Sequence, residues 1–285
     1  MPIIDKLFLA LLTRNKENAG TDSDLNLTIN VDGLDVVNFD YDDPSIGKGE
    51  AGLYPMGQGP FGFDPFDSNP LTNSSIRLGI RGDDLWLPKH ILLLGREQTP
   101  DGTGEVFALA VEVDTTLRLS TDNDLGTGTD APANLSTPLR LVGSGSSSTI
   151  IRRVLLLVKT DTGDNDGTNN PIFLEIKTGS TMVLDQEIKD TTQTDLEPGY
   201  SNWYGPFDAV PFTRGGLSDG GEITLRIDGE DAWRPSMVFV YGFDTAEGRP
   251  TEIVTLVSIP EWTMGVLSTD DSEDPDGGIK HLPLK

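Results

Sequence analysis

The sequence predicts an all-β protein made of two tandem antiparallel β-sandwich domains that are related by internal duplication. Three observations lead to this prediction. Apolar and polar residues alternate in short segments, glycine and proline interrupt the chain every few residues, and similar blocks recur at a nearly constant spacing.

Alternation with a period of two is the pattern of a half-buried strand. Within residues 223–227, the odd-numbered positions Ile223, Leu225 and Ile227 are apolar, whereas Thr224 and Arg226 between them are polar. Residues 25–29 follow the same pattern, and 106–113 and 252–257 are further strand candidates. The 32 glycines and 19 prolines leave little room for helices and mark turns between short strands.

The repeated blocks predict the duplication. Residues 76–88 resemble residues 223–235, and Trp233 lies 147 positions after Trp86. Gly167-Thr168 follows Gly20-Thr21 at the same spacing, and two shorter blocks recur after 146 and 148 positions, at 59–61 with 205–207 and at 119–122 with 267–270. A Gly/Ser-rich stretch lies between the copies. We therefore expect a divergent first domain over residues 1–142, a flexible linker over 143–149 and a second domain over 150–285.

The beginning of the chain is expected to form the first strand. The apolar run Leu7–Leu12 is short for the core of a signal peptide, Asp5 precedes it, and no small-residue cleavage site follows. No signal peptide is therefore evident, although an extracellular or particle-associated location stays open. No stretch reaches the ~20 apolar residues of a membrane-spanning helix, so we expect no transmembrane segment.

The composition excludes several functions. The chain of 285 residues has 46 Asp and Glu against 21 Lys and Arg, for a formal net charge of -25. Such a charge disfavours nucleic acid, which binds basic surfaces, and attracts divalent cations. The absence of cysteine excludes disulfides and thiolate sites, and there are two histidines, His90 and His281. No nucleophile elbow, P-loop or dinucleotide fingerprint is present, and we expect no enzymatic activity.

The densest group of oxygen-bearing side chains lies in residues 161–169, where Asp161, Asp164, Asp166 and Asn169 alternate with glycine and threonine. Calcium binds six to eight oxygen ligands, and this loop could supply several of them. A solvated hairpin is the alternative, because Asp, Asn and Gly are also the residues that turns prefer. The corresponding loop of the first domain, around Asn18 and Asp22, contains Arg14 and Lys16, so it is a weaker candidate.

The aromatic residues give two further expectations. Trp86 and Trp233 occupy matching positions, which favours a shared structural role in a core or interface over a ligand platform. Trp203-Tyr204 and the glycine-rich segment 54–66 have no counterparts, so exposed aromatics that bind a partner are one interpretation. The segment 54–66 either folds onto its own domain or docks on a neighbour.

Residues 155–265 resemble a PLAT (LH2) domain, a β-sandwich found beside lipoxygenases, some lipases and polycystins. The resemblance rests on an apolar strand before Thr160, the acidic loop that ends in Gly167-Thr168, and the aromatic-x-Arg-Gly pattern in residues 212–215. It continues with Asp228, Asp231 and Trp233 in residues 223–235, and with Glu261-Trp262, which resembles the family's closing tryptophan strand. The family's tryptophan usually follows its proline, whereas Trp233 precedes Pro235 here.

The resemblance implies an eight-stranded sandwich that mediates protein or lipid contacts, in some members through calcium. It implies a calcium site formed by the following residues of the second domain: Asp161, Asp164, Asp166, Asn169, Asp228 and Asp231. Asn18, Asp22 and Asp84 are the weaker candidates in the first. We expect a non-enzymatic protein that attaches, with or without calcium, to a protein, lipid or glycan surface. The alternative is a structural subunit that self-assembles into a virion, tail, sheath or filament.

Overall fold

The computed structural model of the protein describes residues 2–41, 46–57, 62–81, 84–120, 136–163, 166–189, 196–218, 220–229, 231–268 and 281–284. These residues form antiparallel strands and one short helix, so the all-β prediction is confirmed. The chain divides into two compact units, Met1–Gly143 and Ser144–Lys285. Among the described residues, no helix combines the length and apolarity needed to cross a membrane.

Unit 1 contains a sandwich of two sheets. Its longer strands are β1 (Ile3–Thr13), β2 (Asp24–Val31), β3 (Leu34–Tyr41), β4 (Ala51–Met56), β6 (Ile76–Arg81), β8 (Pro88–Glu97) and β9 (Val106–Glu112). Shorter strands are β5 (Phe66–Asp67), β7 (Leu85–Trp86), β10 (Leu119–Ser120) and β11 (Ser136–Pro138), and β12 (Gly143–Ser144) lies at the division between the units. Within unit 1, one sheet has the order β4-β1-β8-β9 and the other β11-β6-β2-β3.

The core of unit 1 lies between these two sheets. Leu7, Leu9 and Leu11 point inward from β1, and Leu25 and Leu27 point inward from β2 in the facing sheet; all five are fully buried. The alternating pattern that predicted strands therefore marks the side chains that fill the sandwich.

Unit 2 contains a second sandwich. Its strands are β13 (Ile150–Thr160), β14 (Ile172–Thr178), β15 (Thr181–Glu187), β16 (Ser201–Thr213), β17 (Glu222–Ile227), β18 (Ala232–Trp233), β19 (Pro235–Phe243), β20 (Glu252–Ile259), β21 (Leu267–Ser268) and β22 (His281–Pro283). Within unit 2, one sheet has the order β16-β13-β19-β20 and the other β15-β14-β17-β22. Leu156 and Val158 of β13 and Leu174 and Leu225 of the facing sheet are buried in its core.

The two units have the same strand order when their strands are matched along the chain. β1, β2 and β8 of unit 1 correspond to β13, β14 and β19 of unit 2, and the short pair β7–β10 corresponds to β18–β21. In the register of the first sheet, Thr13 pairs with Pro88, and Thr160 pairs with Pro235. This recurrence agrees with the repeat in the sequence, while descent from a duplication stays a prediction.

The structure corrects several local expectations. The 143–149 segment is not a free linker, because the Gly145 amide donates to the Ile253 carbonyl at 2.9 Å and Ser147 accepts from the Gly215 amide at 2.8 Å. The PLAT resemblance implies a turn at the aromatic-x-Arg-Gly pattern of residues 212–215, whereas these residues lead from β16 into the helix α1 (Arg214–Ser218). Trp262 lies beyond the end of β20 rather than within a closing strand.

Two expectations about aromatic residues are also settled. Trp203 and Tyr204 are each 1% exposed, so the interpretation as exposed binding aromatics is wrong. The sequence did not reveal this, because Asn202, Trp203 and Tyr204 are three consecutive buried residues and do not follow the alternation of a half-buried strand. In the segment 54–66, the described residues Met56, Phe63 and Phe66 are buried in the core of unit 1, so this part folds onto its own unit.

Candidate functional site

The region that contains the predicted calcium ligands is one end of the unit 2 sandwich. We call it the loop end of unit 2: residues 161–171, which connect β13 to β14, together with residues 228–234 around β18. The corresponding loop end of unit 1 comprises residues 14–23 and 84–87. Loops at the end of a rigid sandwich are common positions for binding residues, because the scaffold fixes them while leaving their side chains free to vary.

Asp231 joins the two segments of the unit 2 loop end. Its Oδ2 accepts hydrogen bonds from the Thr168 hydroxyl at 2.9 Å and from the Asn169 amide at 3.2 Å. Its Oδ1 accepts from the Ala232 amide at 2.9 Å. Both carboxylate oxygens therefore satisfy groups of the protein itself, and Asp231 acts as a clamp between the loops.

Trp233 lies at the base of the loop end of unit 2. Its ring is fully buried, and the indole Nε1 donates to Thr160 Oγ1 at 3.1 Å. Thr160 is the last residue of β13, so this bond fixes the point at which the first loop leaves the sheet. The Asp161 amide donates to the Arg234 carbonyl at 2.9 Å, and the Arg234 amide donates to the Asp166 carbonyl at 3.0 Å.

The two described aspartates of residues 161–171, Asp161 and Asp166, have local partners. Asp161 Oδ1 accepts from the Thr162 amide at 2.8 Å, which is a turn contact within the loop. Asp166 Oδ2 accepts from the Gly163 amide at 2.7 Å, and its Oδ1 lies 3.7 Å from Nε of Arg234. Asp164 lies outside the described residues.

Asp228 belongs to a different group of side chains, on the face of the sheet that carries Arg226. The Arg226 guanidinium donates to Asp228 Oδ2 and, at 2.6 Å, to Glu175 Oε1, while it lies 4.0 Å from the centre of the Phe173 ring. The hydrogen bond to Asp228 raises the pKa of Arg226 above its ordinary value. The Asp228 carboxylate is thus paired with a cation.

The loop end of unit 1 repeats the same contacts at positions 147 residues earlier. Trp86 Nε1 donates to Thr13 Oγ1 at 3.0 Å, and the Asp22 amide donates to Asp84 Oδ2 at 3.2 Å. Asp84 Oδ1 accepts from the Leu85 amide at 2.7 Å, as Asp231 does from Ala232. Asp84 is therefore a clamp like Asp231. Asp22 and Asn18 are exposed, and Asn18 has a positive φ of 57° within a tight turn.

The described residues leave the predicted calcium site untested. Among them, no group of three or more Asp, Glu or His side chains is arranged to hold a metal ion. Three of the candidate carboxylates bind amides, a hydroxyl or a guanidinium of the protein itself, and their charge therefore stabilises the fold: Asp231, Asp84 and Asp228. The calcium site therefore stays a prediction, and no chemistry of a metal follows from the described geometry.

Two cavities open near the loop ends. The cavity of unit 1 has a volume of about 300 Å³ and is lined by Arg14, Lys16, Asn18 and Arg118 among others. The cavity of unit 2 has about 230 Å³ and is lined by Thr168, Asn169, Glu187 and Lys189 among others. These volumes are sufficient for a small ligand or a single chemical group of a larger one.

Comparison with known proteins gives a weak structural likeness. No family model matches the chain, and no curated protein matches it. Among solved structures, "Alpha Toxin from Clostridium Absonum" matches with a TM-score of 0.35 and 16% identity. The match covers 50% of this chain and 33% of the toxin chain, so this protein matches about a third of the length of that structure.

Sequence reasoning missed the basic wall of the unit 1 cavity. In the sequence, Arg14 is only a cation that disfavours calcium, whereas in the structure its guanidinium Nη2 donates to the carbonyl oxygens of Thr115 and Leu117. Arg118 lines the same cavity from a distant part of the chain. In the sequence, the basic wall is indicated by Arg14 at the position that matches Asp161. The location of Arg118 at the same cavity follows only from the fold.

Proposed function

We propose that this protein is a non-enzymatic binding protein whose two sandwiches present their loop ends to a partner surface. The PLAT resemblance of residues 155–265 supports this assignment, as does the all-β fold. The proposed partner is a protein, lipid or glycan surface, and calcium is a candidate cofactor for unit 2.

The observation that supports the proposal is that both loop ends have the same framework of hydrogen bonds but differ in the side chains of the loops. The tryptophan–threonine bond and the aspartate clamp occur in both units with nearly equal lengths. At matching positions, Arg14 of unit 1 is replaced by Asp161, and Leu87 is replaced by Arg234. A constant framework with changed loop side chains is the arrangement expected of binding loops that recognise different groups.

Surface binding can be tested directly on the full chain. The protein would be incubated with vesicles of phosphatidylcholine, with or without phosphatidylserine, and with a glycan array, each in millimolar calcium and in excess chelator. We expect saturable attachment to one of these surfaces. Attachment should weaken when Arg234 and Asp161 are replaced by alanine, and it should persist in Arg152→Gln, which removes a charge on β13.

Size-exclusion chromatography with light scattering tests the alternative of a structural subunit. A chain of 30.8 kDa that stays monomeric in both solutions agrees with a soluble attachment protein. A large defined oligomer that binds none of the surfaces would overturn the proposal in favour of self-assembly. An oligomer that forms only in calcium would connect the acidic loop of unit 2 with assembly.

A further inference from the structure

The cavity at the loop end of unit 2 combines polar and apolar side chains in a volume of about 230 Å³. Three of its polar side chains offer complementary hydrogen-bonding groups, because a carboxylate accepts, an ammonium donates and a carboxamide does both. These side chains belong to Glu187, Lys189 and Asn169. Apolar surface is contributed by Pro171, Ile188 and Leu196. The cavity can therefore contact both the polar and the apolar parts of a small ligand.

Backbone hydrogen bonds fix the wall of this cavity. The Thr168 amide donates to the Leu196 carbonyl at 3.2 Å. The Ile188 amide donates to the Ile172 carbonyl at 2.8 Å. The Leu196 amide donates in turn to Oδ1 of the buried Asn202 at 3.2 Å. The protein itself thus holds the segments that carry the lining side chains, and the cavity does not depend on a ligand for its shape.

The three polar groups have no partner in the part of the chain that the structure describes. No hydrogen bond or ion pair there engages the Glu187 carboxylate, the Lys189 ammonium or the Asn169 carboxamide. Glu187 is half-buried, and the buried Ile188 lies between it and Lys189, so the two charged side chains lie on the same side of the chain. A partly buried carboxylate without a partner is a group that a ligand can satisfy.

The matching carboxylate of unit 1 shows what Glu187 lacks. Asp40 lies 147 positions before Glu187 and has the same place in its sheet. Asp40 accepts from Nη1 of Arg81 at 2.7 Å and from Nδ2 of Asn26 at 2.8 Å. The residues of unit 2 that match these two donors are Asp228 and Phe173. Unit 2 thus keeps the carboxylate and replaces both of its donors, which leaves Glu187 available to a ligand.

We propose that the unit 2 cavity binds a single pyranose ring of a glycan. A sugar hydroxyl both donates and accepts hydrogen bonds, so neighbouring hydroxyls can donate to Glu187 and accept from Lys189 at the same time. Asn169 can pair with a hydroxyl in either direction, and the C–H groups of the ring can contact the apolar part of the wall.

The charge and the size of the cavity favour a neutral and small ligand. The charges of Glu187 and Lys189 sum to zero, so a ligand with a net charge gains little from the wall as a whole. The volume lies below the roughly 300 Å³ at which pockets for drug-sized ligands begin, so it suits one ring of a glycan. The inference rests on the proposed function, because it takes the loop end of unit 2 as a binding surface and selects the glycan among the proposed partners.

The test is an NMR titration of ¹⁵N-labelled full-length protein with the methyl glycosides of glucose, mannose and galactose, in excess chelator. Tetrahydropyran-2-methanol, which keeps the ring but lacks the ring hydroxyls, is one reference, and L-alanine represents a small zwitterion. We expect saturable shifts of the amides of residues 168–169 and 187–189 with at least one glycoside and with neither reference. Because the ligand is neutral, sodium chloride should change the affinity little.

Glu187→Gln and Lys189→Met should each weaken binding by about tenfold, because each removes a charge-assisted hydrogen bond. Amide shifts that stay unchanged away from the cavity will show that these variants are folded. Asp40→Asn is the matched control at the equivalent position of unit 1. Lys177→Gln is the second control, because it removes a cation of unit 2 that does not line the cavity. Both controls should leave the affinity unchanged.

The inference is overturned if no methyl glycoside gives a saturable shift, or if L-alanine binds where the glycosides do not. It is also overturned if Glu187→Gln and Lys189→Met bind a glycoside as well as the wild type does. Attachment to vesicles that requires Arg234 and Asp161, with no glycoside bound at the cavity, would refute this inference and leave the proposed function intact. A glycoside that binds at the cavity while the protein attaches to none of the surfaces would support the site and contradict the proposed function.

Discussion

At the scale of single residues, one buried hydrogen bond defines each loop end. The indole Nε1 of Trp233 and the Oγ1 of Thr160 are both buried, and each is the other's partner at 3.1 Å. The residues Trp86 and Thr13 form the same bond at 3.0 Å in unit 1. A buried donor that loses its acceptor costs more than an ordinary hydrogen bond contributes, because the group is left without water.

Replacement of Thr160 by valine should therefore destabilise unit 2. Valine keeps the shape of threonine but removes the acceptor of Trp233, and we expect a loss of about 1–3 kcal/mol in the free energy of unfolding. Thr13→Val should cost a similar amount in unit 1. Urea denaturation measures both, with the exposed Thr181→Val on β15 as the control. Equal stability of Thr160→Val and the wild type would contradict the structural role of this bond.

The aspartate clamp leads to a second prediction, which separates a structural role from metal binding. In Asp231→Ala, the amides of Asn169 and Ala232 lose a charged acceptor, so the loop end should open more often. We expect faster hydrogen exchange at these two amides and a loss of about 1–3 kcal/mol in the free energy of unfolding. The loss should be the same in calcium and in chelator. A loss seen only in calcium would identify Asp231 as a metal ligand instead.

At the scale of strands, the sequence predicted the elements well because their signal is local. The alternation in residues 223–227 corresponds to β17, and the apolar run 7–12 lies within β1. The contacts of the site were harder to predict, since an aspartate in a turn has the same sequence context whether it binds an amide or a cation. Asp231 and Asp228 are three positions apart, yet one clamps a loop and the other pairs with Arg226.

Two matching glycines show where close packing decides the sequence of a strand. Gly95 belongs to β8 and Gly242 to β19, 147 positions apart. A Cβ atom at residue 242 would lie 2.7 Å from Cγ1 of Ile151, and one at residue 95 would lie 2.9 Å from Cδ1 of Leu109. Neither position has room for a methyl group unless its neighbour moves.

Gly242→Ala should consequently destabilise unit 2 by about 1–3 kcal/mol, the usual cost of overpacking a core. The double variant Gly242→Ala with Ile151→Val should recover part of this loss, because valine lacks the Cδ1 atom that lies 2.8 Å from the added methyl. Thermal and urea denaturation of the three variants, with Ile151→Val alone as the reference, measure the recovery. Additive losses in the double variant would show that Cδ1 of Ile151 does not oppose the methyl group, because Cγ1 and Cγ2, at 2.7 and 2.8 Å, remain in valine.

At the scale of the whole molecule, the net charge of -25 acts against the compact state. Self-repulsion is strong at low ionic strength, where the screening length is about 30 Å, and weaker at 0.15 M salt, where it is about 8 Å. We expect Tm to rise as sodium chloride is added over this range. An uncharged osmolyte at equal osmolality is the control. A Tm that stays constant or falls with salt would show that attractive ion pairs outweigh the excess of acidic residues.

Each unit has its own buried core, and this arrangement predicts that damage to one core stays local. Leu78 and Leu225 are matched residues, 147 positions apart, and each is fully buried in the core of its own unit. Leu78→Ala and Leu225→Ala should each cost about 2–5 kcal/mol, because a cavity replaces a packed side chain.

Hydrogen exchange of the full chain, followed by mass spectrometry, shows which part of the chain each of these two substitutions destabilises. We expect Leu78→Ala to accelerate exchange in peptides from residues 1–143 and Leu225→Ala to accelerate it in peptides from 144–285, because a local cavity raises the opening of its own cooperative unit. Acceleration across the whole chain in either variant would mean that the two units unfold as one. In that case the loop end of one unit could not be altered without changing the stability of the other.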